Sequence, residues 1–283
     1  MRDRLRGVTH DLVIRNAHLV DGSGAPGRVA DVAVDGSLIT AVEPGGTLGD
    51  GVRTIDADGL LLTPGFVDTH THYDAQVTWD PYVTPSGWHG VTTVMMGNCG
   101  VGFAPSAPEQ HEWLIEMMES VEDIPGTALS AGLQWGWESY SEYLDVLASM
   151  PRVMDIGSQI GHCPLRVYVM GDRGVANEPA TDADITTMSQ MVEEALRAGA
   201  FGFTTSPWYA PMNSAQAHEV RTLMRVAGDY GGLYATHMRS YTDRLVESLA
   251  EELSGIVGQR VYVQLRSRLG AIGDVSAAPP PGR

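Results

Sequence analysis

Hydrophobic positions in the first sixty residues come in short runs that are separated by turn residues. The runs are Asp11–Val20, Ala30–Val34 and Leu38–Val42. The dipeptide Asp35-Gly36, which lies between the second and third runs, is a strong hairpin signal. We therefore predict a small β-rich unit over residues 1–62, built from short strands and tight turns.

Beyond Leu60 the pattern changes to apolar strands that alternate with longer segments of helical periodicity. The predicted strands are Gly65–His70, Val91–Gly97, Val153–Ile160, Ala200–Thr205 and Gly232–His237. Strands alternating with helices are typical of βα units arranged around a parallel sheet. We expect about five such units over residues 63–254.

The helical segments begin and end at recognisable signals. Thr181 and Asp184 form a capping box, and Gly199 stands where a left-handed C-terminal cap is expected. Ser214 is predicted to cap the next helix, and Thr242 to open a third.

Residues 255–283 break this pattern. They hold four arginines against one acidic residue and end in Ala-Ala-Pro-Pro-Pro-Gly-Arg, whereas the preceding chain is strongly acidic. Two explanations stay open. The first is a basic flexible terminus, and the second is that the reading frame was lost or the chain was cut short near Ser254. In either case we expect an atypical tail over residues 255–283.

Composition narrows the function classes. Hydrophobic residues make up 43% and charged residues 19% of the chain, and no apolar run approaches the roughly 20 residues of a membrane-spanning helix. The formal net charge of −17 argues against a nucleic-acid surface, which needs clustered cations. Because the N-terminal segment lacks the apolar stretch of a secretory signal, we expect a soluble, cytoplasmic protein without nucleic-acid or membrane partners.

Every basic residue is an arginine, since the sequence contains no lysine. Schiff-base lysines, a P-loop lysine and a carbamylated lysine that bridges two metals are therefore excluded. Cys99 and Cys163 are too few for a disulfide framework and fit a reducing compartment. A cysteine thiolate stays available as a metal ligand or a nucleophile.

Residues with metal-ligand chemistry lie where several predicted strands end. His70 and His72 follow the first strand, and side chains two apart in a strand point to the same face. Cys99 follows the second strand and His237 closes the fifth. In a β/α barrel these strand ends meet at one face, so we predict that the four side chains converge on a divalent metal. An ordinary buried thiol and a core histidine are the alternatives for Cys99 and His237.

The remaining histidines carry less weight. Those that we expect to be ordinary packing or surface residues are His18, His89, His111 and His218. His162 and Cys163 follow the third predicted strand and are candidates for lining the same cavity.

Several motifs resemble those of a known family. Asp56–Gly59 followed by Leu62–His72 resembles the metal-dependent amidohydrolase superfamily. Gly97–Gly100 and Thr236–Arg239 narrow the resemblance to the branch of D-aminoacylases, or N-acyl-D-amino-acid deacylases. Gly161–Gly171 and Ala200–Thr205 are similar to that branch as well. The resemblance covers about residues 10–253.

The resemblance implies a fold and a metal centre. The family fold is a distorted (β/α)8 TIM-type barrel beside a small β-sandwich built from both chain ends, so we expect an incomplete barrel with an N-terminal sandwich portion. Carried over by motif, His70 and His72 hold one metal, Cys99 is a ligand that can bridge two sites, and His237 holds the tightly bound zinc. A second, weaker metal site stays open.

The resemblance also implies an activity, which is zinc-dependent cleavage of a linear, non-peptide amide C–N bond in a small N-acyl-D-amino acid. Tyr209 and Arg239 are candidate substrate contacts, with a packed ring and a helix-start salt bridge as the alternatives. The later Ser-His ligand, the aspartate base and the substrate-binding arginine of the family have no match after Ser254, so the catalytic base stays unassigned. Alternatives are a catalytically inactive metal-binding remnant, or another amidohydrolase such as a deaminase. Open barrel edges predict self-association.

Overall fold

The computed structural model describes residues 9–253 and 260–264. The chain divides into two compact units, Met1–Phe66 and Val67–Arg283. A helix with the length and hydrophobicity of a membrane span is not found among the described residues. Most of the predicted tail lies outside the described residues, with the exception of the short segment Arg260–Gln264.

The first unit is a single mixed sheet. Its strands are β1 (Leu12–Leu19), β2 (Arg28–Asp35), β3 (Leu38–Pro44), β4 (Arg53–Asp56) and β5 (Leu61–Leu62). The order is β3-β2-β1-β4, and β5 pairs with β1. Asp35 pairs with Leu38 across the predicted hairpin, and Gly36 has a φ of 58°, a left-handed value that the tight turn requires. The expected β-sandwich is not seen, because the described residues of this unit form no second sheet.

The strands of the second unit form two sheets. They are β6 (Phe66–Asp68), β7 (Val91–Met96), β8 (Asp155–Ser158), β9 (Ile160–Gly161), β10 (Gly202–Thr205), β11 (Leu233–His237) and β12 (Arg260–Gln264). One sheet has the order β6-β7-β8 and the other β12-β11-β10-β9. The pairs β7–β8, β9–β10, β10–β11 and β11–β12 are parallel. This is the predicted βα arrangement, but the described residues do not close a barrel.

Gln159 joins the two sheets. It is the one residue between β8 and β9, and its backbone N–H donates to Met96 O at 3.1 Å. On the other side, Phe201 N–H donates to Ser158 O at 2.8 Å. The third predicted strand is therefore real but bent, and it pairs with one sheet through its first half and with the other through its second half.

The segment Arg260–Gln264 corrects the sequence prediction. We expected residues 255–283 to break the strand pattern, yet β12 lies parallel to β11 in a register that pairs His237 with Gln264. Its alternating apolar residues, Val261 and Val263, agree with a strand. The described residues therefore contain one strand more than the five βα units that we predicted.

Helices follow the strands along the chain. They are α1 (His111–Glu122), α2 (Gly126–Gly132), α3 (Tyr140–Ala148), α4 (His162–Met170), α5 (Asp172–Val175), α6 (Asp182–Ala198), α7 (Ala217–Asp229) and α8 (Leu245–Leu253). The predicted capping box of α6 is confirmed, since Thr181 and Asp184 bond reciprocally and Gly199 adopts the left-handed cap. The caps predicted for the next two helices are wrong. Gln216 precedes α7 without a side-chain cap, and α8 begins three residues after Thr242.

A buried ionic network fixes α4 against α7. Arg166, His162 and Glu219 are all at most 1% exposed. The Glu219 carboxylate pairs with the Arg166 guanidinium and accepts a hydrogen bond from His162 at 2.9 Å. Ser214, which we predicted to cap α7, lies 3.0 Å from Arg166 instead. Buried charges are tolerated only when they are paired and hydrogen-bonded in this way.

Candidate metal centre

The two histidines of the first strand lie in the loop beyond it. Strand β6 ends at Asp68, two residues before the predicted end at His70, so both histidines lie beyond the regular strand. Thr71 holds the loop instead, because its backbone N–H and its hydroxyl both donate to Met95 O, at 2.9 and 2.8 Å. With Thr71 turned toward Met95 of β7, the side chains of His70 and His72 both point to Cys99.

Cys99 lies in a tight loop after β7 that has left-handed backbone angles. The φ values are 78° at Gly97, 56° at Cys99 and 73° at Gly100. For a residue with a side chain such an angle costs roughly 1–2 kcal/mol. A Cβ on Gly97 would lie 2.0 Å from Gln159 O, so that only glycine fits there. The surrounding contacts must therefore hold Cys99 in this conformation.

Three imidazoles converge on the Cys99 sulfur. The Nε2 atoms of His70, His72 and His237 lie 3.3, 3.4 and 3.0 Å from Cys99 Sγ. The ligand atoms of His70, His72 and Cys99 all lie within 4.8 Å of one another. The predicted four residues are thus brought together, from the ends of β6, β7 and β11.

His237 is oriented from behind. Its Nδ1 lies 2.6 Å from the hydroxyl of Tyr241, so the ring presents Nε2 to Cys99. A hydrogen bond to the far nitrogen of a ligating imidazole is the usual way in which proteins orient metal ligands. Tyr241 follows His237 by four residues, and it was missed because nothing in its local sequence distinguishes it from a packed aromatic residue.

The four residues line a cavity of about 480 Å³. Its other lining residues in the described part of the chain are Val121, Glu122, Trp208, Tyr209, Tyr241 and Thr242. The wall is thus aromatic on one side and carries metal-ligand chemistry on the other. Clefts of this size with a few convergent polar groups are typical of small-molecule sites.

Glu122 is a site residue that sequence reasoning missed. It is the last residue of α1, and its Oε1 lies 3.3 Å from His72 Nε2. Its side chain is 16% exposed, and it is the carboxylate among the described lining residues of the cavity. In the sequence it looks like one more polar residue at a helix end, because its position near His72 depends on how α1 packs in the folded chain.

Asp74 is a second acidic residue that escaped the sequence reasoning. The residue is 2% exposed, and this burial raises the pKa of its carboxyl to about 7. Hydrogen bonds from the backbone N–H groups of Asp74 and Gly97 oppose the shift but are weaker than the effect of burial. The Asp74 carbonyl accepts a hydrogen bond from Tyr143 at 2.7 Å. The residue lies two positions beyond His72 in the chain.

The two predicted substrate contacts differ in position. Tyr209 lines the cavity, and its hydroxyl donates to Cys99 O at 2.5 Å. Burial raises the pKa of this phenol well above its ordinary value. Arg239 is not one of the described residues that line the cavity. Its guanidinium pairs with Glu251 at 2.9 Å and donates to Ala215 O at 2.9 Å, which corresponds to the salt-bridge alternative.

His162 and Cys163 do not line the cavity in the described structure. His162 is fully buried in α4, where its Nδ1 bonds the Thr205 hydroxyl at 2.7 Å and its Nε2 bonds Glu219. Burial lowers the pKa of His162 and raises that of the Cys163 thiol. Following a strand end in the sequence was a misleading signal here, because both residues already belong to the helix that packs behind the strand.

The donor set fits a metal. Three imidazole nitrogens and one thiolate are the ligands that zinc prefers, and they face a cavity that a small molecule can enter. Because the Cys99 sulfur lies within 3.0 to 3.4 Å of all three imidazole Nε2 atoms, these four residues could hold a metal together.

Comparisons with known proteins agree with this chemistry. The model of the amidohydrolase family matches residues 53–253. The chain is 36% identical over 249 residues to an N-acyl-D-aspartate deacylase from Alcaligenes xylosoxydans xylosoxydans. This match covers 86% of this chain and 46% of that protein. The chain spans about half the length of the curated relatives that it matches.

Solved structures give the same result. A D-aminoacylase crystal structure superimposes with a TM-score of 0.76 at 32% sequence identity, covering 90% of this chain and 51% of that one. An N-acyl-D-glutamate deacylase from Bordetella bronchiseptica, solved with zinc and a phosphonate mimic of its tetrahedral intermediate, gives a TM-score of 0.71 at 29% identity, covering 88% and 49%. The matched motifs and the shared fold lead to one conclusion: this chain belongs to the amidohydrolase family.

Proposed function

We propose that the protein is a zinc-dependent amidohydrolase that cleaves the linear amide bond of N-acyl-D-amino acids. The observation that carries this proposal is the group of three Nε2 atoms within 3.0 to 3.4 Å of Cys99 Sγ, facing a cavity. The similarity to deacylases supports the substrate class.

His70, His72, Cys99 and His237 would hold the metal, with one tightly bound zinc and room for a second, weaker site. Zinc bound there supplies Lewis-acid polarisation of the scissile carbonyl and activation of a water molecule. The Cys99 thiolate would serve as a metal ligand in the place of a carbamylated lysine, since the chain contains no lysine.

The chain's own side chains provide binding and orientation. Tyr209 and Trp208 offer aromatic surface to an acyl or amino-acid side chain at the cavity wall, and we keep Tyr209 as a substrate contact. We keep Arg239 as a second candidate contact, although it must then exchange its pairing with Glu251. No catalytic base is assigned among the described residues.

The parallel strands of residues 63–254 are proposed as part of a distorted TIM-type barrel, and residues 1–62 as part of a small β-sandwich. The N-acyl-D-amino acid is the small-molecule partner, and a cytoplasmic location stays a prediction from the sequence.

Metal analysis of the purified protein tests the site. We expect bound zinc in the wild-type protein and its loss in the His70→Ala/Cys99→Ala double variant, because metal affinity depends on these deprotonated ligands. The matched control is Cys163→Ala, which removes the other cysteine of the chain and should leave the zinc content unchanged. Zinc that survives the double change would refute the site assignment.

Hydrolysis tests the substrate class. Residues 1–253 joined to the remaining half of a D-aminoacylase relative should release the amino acid from an N-acyl-D-amino acid in a zinc-dependent reaction. The same fusion carrying Cys99→Ala is the negative control. Equal turnover of the L-enantiomer would contradict the proposed stereochemistry, and zinc binding without any turnover would favour a metal-binding protein.

A further inference from the structure

Thr204 lies on β10 and is fully buried. Its strand belongs to one sheet and β7 to the other, so the two strands do not pair. The Thr204 hydroxyl nevertheless reaches the loop that follows β7, where it donates to Gly97 O and accepts from Gly100 N–H at 3.1 Å. A single hydroxyl thus holds the backbone on both sides of Cys99.

The loop needs such support because its backbone is left-handed at Gly97, Cys99 and Gly100. Both backbone groups that Thr204 bonds are buried, and a buried carbonyl or N–H without a partner is strongly unfavourable. Tyr209 bonds the Cys99 carbonyl from the cavity side. Thr204 holds the loop at Gly97 and Gly100.

We propose that Thr204 is a positioning residue that sets the Cys99 sulfur among the three imidazoles. It acts through the loop and touches neither metal nor substrate. The predicted effect of Thr204 on zinc affinity rests on the proposed metal site. Its effect on the Cys99 loop itself stands on the hydrogen bonds alone.

Thr205 provides a matched control. It is the next residue on the same strand and equally buried, but its side chain points to the other face, where its hydroxyl bonds His162 Nδ1 at 2.7 Å. Thr205→Val therefore removes the same chemical group from the same strand and leaves both hydrogen bonds between Thr204 and the Cys99 loop in place. Any general effect of deleting a buried hydroxyl in β10 appears in both variants.

The first experiment measures metal binding by the full chain. Zinc affinity is determined by chelator competition, and the cobalt-substituted protein is examined for its thiolate-to-cobalt charge-transfer band. We expect Thr204→Val to weaken zinc binding about 10- to 100-fold, the usual effect of removing support behind a metal ligand, and to shift or weaken the band. Thr204→Ser restores the hydroxyl and should restore both readouts, and Thr205→Val should resemble wild type.

The second experiment needs no metal. In a Cys163→Ala background the chain has one cysteine, and its alkylation rate by iodoacetamide in metal-free protein reports on the Cys99 loop. Cys99 is 8% exposed, so loosening the loop should speed alkylation about 25-fold, because each of the two hydrogen bonds that Thr204→Val removes contributes about fivefold. Thr204→Ser and Thr205→Val should react at the parent rate.

The outcomes separate the two proposals. A wild-type chain that takes up no zinc refutes the proposed function, and the alkylation rates then still decide the role of Thr204. Equal alkylation rates and equal zinc affinities for Thr204→Val and Thr205→Val would overturn the inference. Circular dichroism of each variant confirms that the compared proteins are folded.

Discussion

The residues around Cys99 have little freedom to change, because left-handed backbone angles and close backbone packing occur together. Gly97 combines a φ of 78° with a position where a Cβ would lie 2.0 Å from Gln159 O. Gly231 has a similar φ of 72°, but a Cβ there would meet nothing within 4 Å. The pair separates the two costs of replacing a glycine, backbone strain and steric clash.

We predict that Gly97→Ala destabilises the protein far more than Gly231→Ala. The control variant should lose only the left-handed penalty of roughly 1–2 kcal/mol, whereas Gly97→Ala must also move the Gln159 backbone and the Cys99 loop. Urea unfolding measures the difference, and zinc content should fall only in Gly97→Ala. Similar losses in the two variants would contradict the close approach at Gly97.

A second prediction concerns the buried carboxylate of Glu219. Glu219→Gln leaves the Arg166 guanidinium buried without its counter-charge, and breaking a buried pair in this way costs about 3–5 kcal/mol. Glu193→Gln is the control, since that carboxylate pairs with Arg197 at the surface and should give no measurable change. Denaturant unfolding of both variants checks this, and equal stabilities would argue against the buried network.

At the scale of elements, α6 shows how a local signal fixes a helix end. Thr181 Oγ1 accepts from Asp184 N–H at 3.3 Å, and Asp184 Oδ2 accepts from Thr181 N–H at 2.7 Å. Arg173 adds a hydrogen bond to the same carboxylate at 2.8 Å. The hydrogen bond from Arg173 is the largest cause of a lowered pKa at Asp184. With the bonds from Thr181, it lowers that pKa to about 2.

This lowered pKa predicts a pH dependence. A carboxyl group whose folded pKa lies below its ordinary value of 3.8 stabilises the protein above that value, and the contribution is lost as the pH falls toward about 2. The difference in unfolding free energy between wild type and Asp184→Asn should therefore shrink between about pH 5 and pH 3. Urea unfolding across this range measures it.

The control for this prediction is the same Asp184→Asn change in an Arg173→Gln background. Because Arg173 is the largest cause of the lowered pKa, the pH dependence should be smaller there. A difference that stays constant with pH in the Arg173-containing protein would refute the role of this carboxylate.

At the scale of the whole molecule, the described sheets have open edges. Strand β6 is at one end of its sheet and β12 at one end of the other, and Val67 on β6 is 60% exposed. Unpaired edges with apolar side chains favour pairing between chains. We therefore predict concentration-dependent self-association of this chain.

Sedimentation velocity over a range of concentrations measures the association, and Val67→Lys should weaken it, since a charge on an edge strand opposes pairing. Trp88→Lys is the control. Trp88 is 77% exposed but lies outside the described strands, so this change should have little effect. A monomer at all concentrations, or equal effects of the two variants, would contradict pairing through β6.

Much of the element layout was predictable from local pattern. The alternating pattern of a strand and the 3.6-residue pattern of a helix can each be recognised within a short stretch of sequence. The predicted segments therefore contain β7, β10, β11 and α6. The misses are instructive. Ser214 looked like a helix cap but bonds Arg166, because a serine near a helix start cannot be told locally from one that serves a neighbouring element.

By itself, the sequence determined which side chains carry metal-ligand chemistry and roughly where the strands that bear them end. Tertiary structure decided the rest, because the partners lie far apart along the chain. Glu122 reaches His72 only through the packing of α1, and Thr204 reaches Gly97 across 107 positions. Such contacts leave no periodic signal in the sequence, since they depend on how the strands curve and which faces meet. The bond between one buried hydroxyl and one left-handed loop therefore appears only once the chain is folded.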